Sequence, residues 1–415
     1  MRTDWLQKES VEIRAIRCSL LFTFAKIEMR ESKILVTCAK GIAPFLKEEL
    51  RALGFPILSE MVAGVLTQGS LDDTMKLNLY LRTGQRVLYF LNSFRADTPE
   101  ELYEKITRMP WEDHLTEKSY FAVTSAVRTA SITDTRFANL KCKDAIVDRF
   151  QRRLGRRPDS GPKRDQAVIF LHWQDEDCSV YFDTSGEPLA KRGYRKIPLG
   201  APMQETLAAA VVQATGWNGK SHFINPMCGS GTLAIEAALL ALNKAAGILR
   251  SNYGFMHLKW YNAFAWNALR KAAREASRKT LECKIIATDN DPKAIQSAQQ
   301  NALTAGVDRL IEFKVCDFAE TPLPEGNGLV IMNPGYGERM GEAAELASTY
   351  KALGDFFKQK CQGYTGYVFT GNSELAKRIG LRTKRRMPFF NGEIECRLLE
   401  FELYEGSAPR SELSQ

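Results

Sequence analysis

Asn333-Pro334-Gly335-Tyr336 is a short run holding the parts needed to handle an exocyclic amine. Such an amine is a poor nucleophile because its lone pair is conjugated into the ring. The Asn333 side-chain oxygen and the backbone carbonyl of Pro334 can each accept one amine hydrogen. They thereby favour the pyramidal nitrogen that attacks a methyl group. The Tyr336 ring can stack on the base. The same residues also suit an ordinary turn, so their chemistry depends on what stands beside them.

A second run, Asn225-Pro-Met-Cys228-Gly229-Ser-Gly231-Thr, followed by an apolar stretch to Leu239, reads as a strand end, a glycine-rich turn and a helix start. Glycines let backbone approach a ligand closely, and a helix N-terminus offers free N–H groups. The G-x-G-x-x-A spacing fits a dinucleotide fingerprint, but that site expects a ribose-binding acid about 20 residues on. The next acid at a strand end is Asp289, in Thr-Asp-Asn-Asp-Pro, sixty positions after Gly229. A carboxylate there can accept both ribose hydroxyls of an adenosine, and Asp317, in Val-Cys-Asp-Phe, can accept from the adenine amine. Singly, each Asp reads equally as a helix cap or turn residue. Together, at successive strand ends, they suit a nucleoside lying across the carboxyl edge of a parallel sheet.

The elements that must position these groups fall into two halves. Residues 34–183 mix strands (34–37, 62–66, 86–94, 120–127, 168–171, 179–183) with helices (44–53, 72–83, 100–108, 137–154) without strict alternation, an α+β pattern. From residue 201, short β-branched runs at 223–225, 284–288, 311–315 and 329–332 alternate with helical stretches, the βαβ rhythm of a Rossmann-like α/β domain. Residues 184–200, rich in glycine and proline, are the expected linker. Residues 1–33 and 406–415 are expected to be a disordered extension and tail. Lys26 directly follows the apolar stretch of the extension, and no small-residue cleavage pattern appears, against a signal peptide; Met29 is a candidate start.

The 415 residues carry 57 Lys and Arg against 49 Asp and Glu, a net +8, with no apolar run near the ~18–20 residues needed to span a bilayer. Eleven basic and four acidic side chains lie between residues 128 and 164, a net +7, so one helix and its following loop can hold most of the excess. Arg149, Arg152, Arg153, Arg156 and Arg157, with a second cluster of Lys191, Arg192 and Arg195, are the candidate nucleic-acid contacts; the competing reading is a solvated face. Nine scattered cysteines with no C-x-x-C pair, and four well-separated histidines, argue against a metal site and a disulfide framework, and for a reducing cytoplasm.

The ordered motifs Thr37–Gly41, Asn139–Phe150, Asp183–Arg195, Ala201–Ala210, Asn225–Leu239, Thr288–Pro292 and Asn333–Arg339 resemble those of the THUMP-containing class I S-adenosylmethionine-dependent RNA methyltransferases, over about residues 34–404. The branch most similar modifies the guanine N2 amine of large-subunit rRNA. The resemblance implies a ferredoxin-like piece (34–70), an RNA-binding THUMP domain (71–183) and a Rossmann-like catalytic domain (201–405). It further implies S-adenosyl-L-methionine as cofactor, with Thr206 at its methionine end, and 23S rRNA or a ribosomal precursor as partner. A tRNA guanine N2-methyltransferase, an N6-adenine DNA methylase and a catalytically decayed RNA-binding assembly factor are the other readings. Two positions depart from the family pattern: Asn225 stands where Asp is usual, and Gly335 where a second proline is usual, which implies a less rigid catalytic loop.

Overall fold

The computed structural model describes residues 31–132, 134–196, 203–336 and 343–404. Expectations for residues 1–30 of the extension, the tail, residues 197–202 and residues 337–339 of the last motif lie outside the described residues, whereas Ser32 and Lys33, expected to be disordered, begin a strand.

One eight-stranded sheet, ordered β2-β3-β1-β4-β8-β7-β5-β6, carries the first half of the chain. Its strands are β1 (Ser32–Thr37), β2 (Ser59–Met61), β3 (Gly64–Gly69), β4 (Arg86–Arg95), β5 (Tyr120–Arg128), β6 (Asp159–Ser160), β7 (Ala167–Gln174) and β8 (Asp177–Asp183). Its helices are α1 (Ala43–Ala52), α2 (Leu71–Tyr80), α3 (Pro99–Arg108) and α4 (Thr135–Leu154). The run read as a single strand over 62–66 is instead the turn and second strand of a hairpin, with Val62 exposed at its tip. Gly64 lets β3 lie close against β1: a side chain there would meet the Val36 carbonyl at 2.8 Å. No break falls at residue 70. Met75, Leu77 and Leu79 of α2 join the same core as Ile34 and Leu46. Strand β4 then pairs with β1 through its first residues and with β8 along its length, fusing both parts into one sheet.

The second sheet is ordered β11-β10-β9-β12-β13-β15-β14. Strands β9 (His222–Pro226), β10 (Ile285–Asp289), β11 (Ile311–Val315), β12 (Gly328–Met332) and β13 (Tyr364–Thr370) are parallel. An antiparallel hairpin, β14 (Arg385–Asn391) and β15 (Ile394–Glu402), closes the edge. Helices α5 (Glu205–Ala214), α6 (Thr232–Ala241), α7 (Ala263–Glu275), α8 (Pro292–Ala305), α9 (Ala343–Lys360) and α10 (Ser373–Lys377) complete the domain. The sheet is thus the doubly wound α/β arrangement expected from the sequence, preceded by the expected α+β module. Among the described residues, no helix is long and apolar enough to cross a membrane.

Helix α6 is apolar all round and almost wholly buried, yet Glu236 sits in its middle. A buried carboxylate must be paired. Its partners come from the segment expected to be a linker: Arg192 Nε donates to Glu236 Oε1 at 3.3 Å and the Tyr194 hydroxyl at 3.0 Å. The Arg192 guanidinium also donates to the carbonyls of Leu81, Arg82 and Leu189. This stretch is therefore interior. The N-terminal module adds Glu49, whose carboxylate accepts from the Arg82 and Thr83 amides and from Gln213 of α5. Phe45 stacks on Phe389 of β14, centroids 5.6 Å apart. Both halves share one hydrophobic core.

Removing one partner of the buried pair leaves an uncompensated charge. Arg192→Ala is expected to destabilise the protein by about 3–5 kcal/mol. Arg192→Met combined with Glu236→Leu should recover part of this, with the Tyr194 hydroxyl left without its acceptor. Urea unfolding of the three variants checks the order.

Candidate active site

Parallel pairing lines up the sequence candidates along one edge. Thr288 pairs with Pro226 and Asp289 with Val315, so the loops leaving β9, β10 and β11 start side by side. The Cys228 amide donates to the Thr288 carbonyl at 2.9 Å, and the Cys316 amide to the Asp289 carbonyl at 3.1 Å. On the other side of β9, β12 pairs Val330 with Ile224 and delivers Asn333. Asp317, Asp289, the Gly229 loop and Asn333 therefore follow one another in strand order. The reversal of strand order between β9 and β12 is the place where open α/β sheets take ligands.

Asp289 shapes the glycine turn. Its Oδ2 accepts from the Gly229 amide at 2.9 Å, and its Oδ1 accepts from the Asp291 amide at 3.0 Å. Each oxygen keeps a lone pair for a ligand hydroxyl. Gly229 has a φ of +54°, and a side chain there would project into open space. Gly231, at φ +79°, is glycine for another reason: a Cβ would stand 2.9 Å from that of Ala298 on α8. The Cys228 thiol is pushed up by burial and by the Asp289 charge, so it stays protonated and inert. Asp317 is exposed and caps a short 3-10 turn by accepting from the Ala319 amide at 2.9 Å, leaving Oδ2 outward.

Two buried polar atoms at the methionine end of the expected cofactor site lack partners. Asn225 is fully buried and donates through Nδ2 to the Ile331 carbonyl at 2.9 Å, while its Oδ1 has no hydrogen bond. Thr206 Oγ1, in the first turn of α5, is likewise unpaired. Buried acceptors and hydroxyls left open mark places a ligand can fill.

The loop carrying Asn333 is pinned at three points. The Tyr336 hydroxyl donates to Asn333 Oδ1 at 2.6 Å, the Tyr350 hydroxyl to the Gly335 carbonyl at 3.2 Å, and Asn372 Nδ2 to the Tyr336 carbonyl at 3.2 Å. The slackness expected from Gly335 is thus offset by side chains from α9 and the β13–α10 turn. Neither Tyr350 nor Asn372 was singled out in the sequence. Asn372 carries a legible signal, because it caps α10 and precedes Ser-Glu; Tyr350 carries none. The Tyr336 ring leans on Phe369 and on the bare backbone of Gly371, and burial pushes its hydroxyl far above the usual tyrosine range, so it remains a donor.

The expected nucleic-acid contacts divide sharply. Arg149 is 10% exposed and forms a double hydrogen bond to Glu112, whose carboxyl it holds down at about 2. Arg192 is 1% exposed in the pair described above. Arg195, 16% exposed, donates to the Met203 carbonyl and to Thr232 Oγ1, tying the starts of α5 and α6 together. These three are structural, a correction to the sequence reading: each lies on a face turned toward the core, where its fork satisfies carbonyls and acids. Arg152, Arg153, Arg156, Arg157 and Lys191 are exposed.

Sequence comparison extends the picture. Residues 33–88 match the RlmL ferredoxin-like domain, residues 96–183 the THUMP domain, and residues 192–400 the RMKL-like methyltransferase domain. The provisionally named RNA methyltransferase slr0064 of Synechocystis sp. is 33% identical over 89% of this chain and 96% of its own. The chain belongs to the RMKL-like methyltransferase family. The ribosomal RNA large subunit methyltransferase K/L of Syntrophotalea carbinolica is 40% identical over 92% of the chain, which spans 56% of that relative's length. The crystal structure of SMU.472 complexed with SAH superposes with a TM-score of 0.82 at 27% identity, covering 91% of this chain and all of that one. That of a predicted N6-adenine-specific DNA methylase from Listeria monocytogenes gives 0.81 at 29%, covering 90% and 97%.

The SMU.472 structure holds SAH, and the residues present here fit a cofactor of that kind. Asp289 and Asp317 suit the adenosine, while the open Asn225 Oδ1 and Thr206 Oγ1 suit the methionine amine and carboxylate. Asp289→Ala is expected to weaken S-adenosylhomocysteine binding by about 1.5–3 kcal/mol, the range for a hydrogen bond to a charged group. Asp289→Asn, which keeps an acceptor for the Gly229 amide, should lose less, and Asp317→Ala less than Asp289→Ala. Titration calorimetry ranks them; equal affinities across the set would remove Asp289 from the cofactor site.

Proposed function

We propose that this methyltransferase transfers a methyl group to the exocyclic N2 amine of a guanine in 23S rRNA, in the cytoplasm. The observation that carries the reading is Asn333, held at the switch point beside the cofactor residues with one lone pair of its amide oxygen committed to Tyr336 and the other open. The bound cofactor supplies an electrophilic methyl on a sulfonium, so the protein's own work is alignment and amine activation. Asn333 Oδ1 and the Pro334 carbonyl accept the two amine hydrogens. Tyr336 fixes the Asn333 amide, and Tyr350 and Asn372 fix the backbone on which both acceptors ride. The large-subunit rRNA names of relatives and the THUMP match support an RNA substrate.

The name of the Listeria structure favours a second reading, the N6 amine of adenine in DNA. Labelled cofactor with rRNA, tRNA and duplex DNA, followed by nucleoside digestion, separates them: N2-methylguanosine from rRNA is expected, and N6-methyladenine would overturn the proposal.

Asn333→Ala is expected to nearly abolish single-turnover methylation with cofactor and RNA affinity close to normal, because its contact matters in the transition state. Tyr336→Phe, which loses only the orienting bond, should cost about 1 kcal/mol, the worth of one hydrogen bond. Equal rates for wild type and Asn333→Ala would end the catalytic assignment. Reversing Arg152, Arg153, Arg156 and Arg157 to Glu should weaken RNA binding and flatten its salt dependence by about 0.7–0.9 per lost phosphate contact, with cofactor affinity unchanged. An unaltered slope would make that cluster a solvated face.

A further inference from the structure

Beneath α10, the β14–β15 hairpin and the end of β13 enclose a cleft of about 600 Å³. That volume is within the range of small-ligand sites, roughly 300–1,000 Å³, and it admits a nucleotide. None of the cofactor or amine-handling groups described above lines it.

Its charge is unbalanced in one place. Lys377 and Arg397 each meet an acid within the cleft, Glu374 at 2.8 Å and Glu395 at 3.2 Å. Arg386 is exposed and has no acidic partner among the described residues. Register explains why these groups converge. Arg386 lies opposite Leu399, and Arg397 opposite Pro388, so both arginines stand on the same face of the hairpin as diagonal neighbours. The neighbouring cations Lys384 and Arg385 are paired with Glu400 and Glu402.

The cleft also shares a wall with the catalytic loop. Thr370 and Gly371 line it. Thr370 Oγ1 lies 2.7 Å from the Tyr350 hydroxyl that holds Gly335. A side chain on Gly371 would meet Tyr336 Cδ2 at 3.3 Å and Ile394 Cγ2 at 2.8 Å. Gly371 therefore touches the Tyr336 ring on one side and lines the cleft on the other. A strand that presents one base to Asn333 carries its adjoining nucleotide close beside it, and a phosphate there is favoured by an unpaired cation.

We propose that this cleft receives the nucleotide next to the methylated one, with its phosphate on Arg386. The inference rests on the RNA reading and adds a subsite to it.

The test uses the full chain and an in-vitro transcript of large-subunit rRNA. Arg386→Glu is expected to raise the KM for RNA about tenfold, leave kcat within twofold and cofactor affinity unchanged, and reduce the salt slope by about 0.7–0.9. Arg386→Lys should restore most of the loss. Arg382→Glu, an exposed cation outside the cleft, should move none of these. An unchanged KM in Arg386→Glu, or an equal loss in Arg382→Glu, overturns the subsite alone. Failure of the unsubstituted chain to bind the transcript overturns the RNA reading along with it.

Discussion

A carboxylate in the middle of a helix without an exposed face sets the terms for the rest of this molecule. Helix α6 begins at Gly231, so its position is the position of the glycine turn. Glu236 can be accommodated inside because Arg192 and Tyr194 are brought to it as hydrogen-bond donors. The same guanidinium takes carbonyls at the end of α2, so one buried charge ties the N-terminal module, the connecting segment and the cofactor loop together. Such a pair contributes little net stability against apolar replacements of equal volume. What it supplies is a single register for three segments far apart in the chain.

That rigidity matters because methyl transfer from a sulfonium is governed by alignment. Asp289 braces Gly229 from the neighbouring strand, Arg195 braces the starts of α5 and α6, and three hydrogen bonds brace the loop that carries Asn333. Apart from the Tyr336–Asn333 bond within the loop, each brace comes from a different element than the group it holds. An error in any one packing contact would therefore displace the amine from the methyl by a fraction of an ångström, enough to lower the rate substantially.

Much of this was legible in the residues. The glycine turn, the strand-end aspartates and the Asn-Pro-Gly-Tyr run carry local signals, since each depends on backbone freedom or capping chemistry within a few positions. The antiparallel hairpin of β14 and β15 did not show, because its inward face, Phe389, Cys396 and Leu398, alternates with charged residues that read as surface. The buried roles of Arg149, Arg192 and Arg195 were hidden for a related reason. A charge run gives the number of cations, but not which of them point inward toward acids such as Glu112 and Glu236, 37 and 44 residues away.

The inward turn of those three arginines relocates the basic surface. Removing them from the exposed set leaves Lys191, already paired with Glu187, and Lys196 in the described part of the connecting segment, and concentrates exposed charge at the end of α4 and the loop after it. On the proposed reading, that surface grips RNA through phosphates without reading bases. Among the described residues of the methyltransferase domain, Lys351, Lys377, Lys384, Arg385 and Arg397 are each matched by an acid. An unmatched arginine in such a setting stands out energetically. A phosphate reaching Arg386 displaces no competing carboxylate, whereas one reaching Lys377 or Arg397 must first break an ion pair.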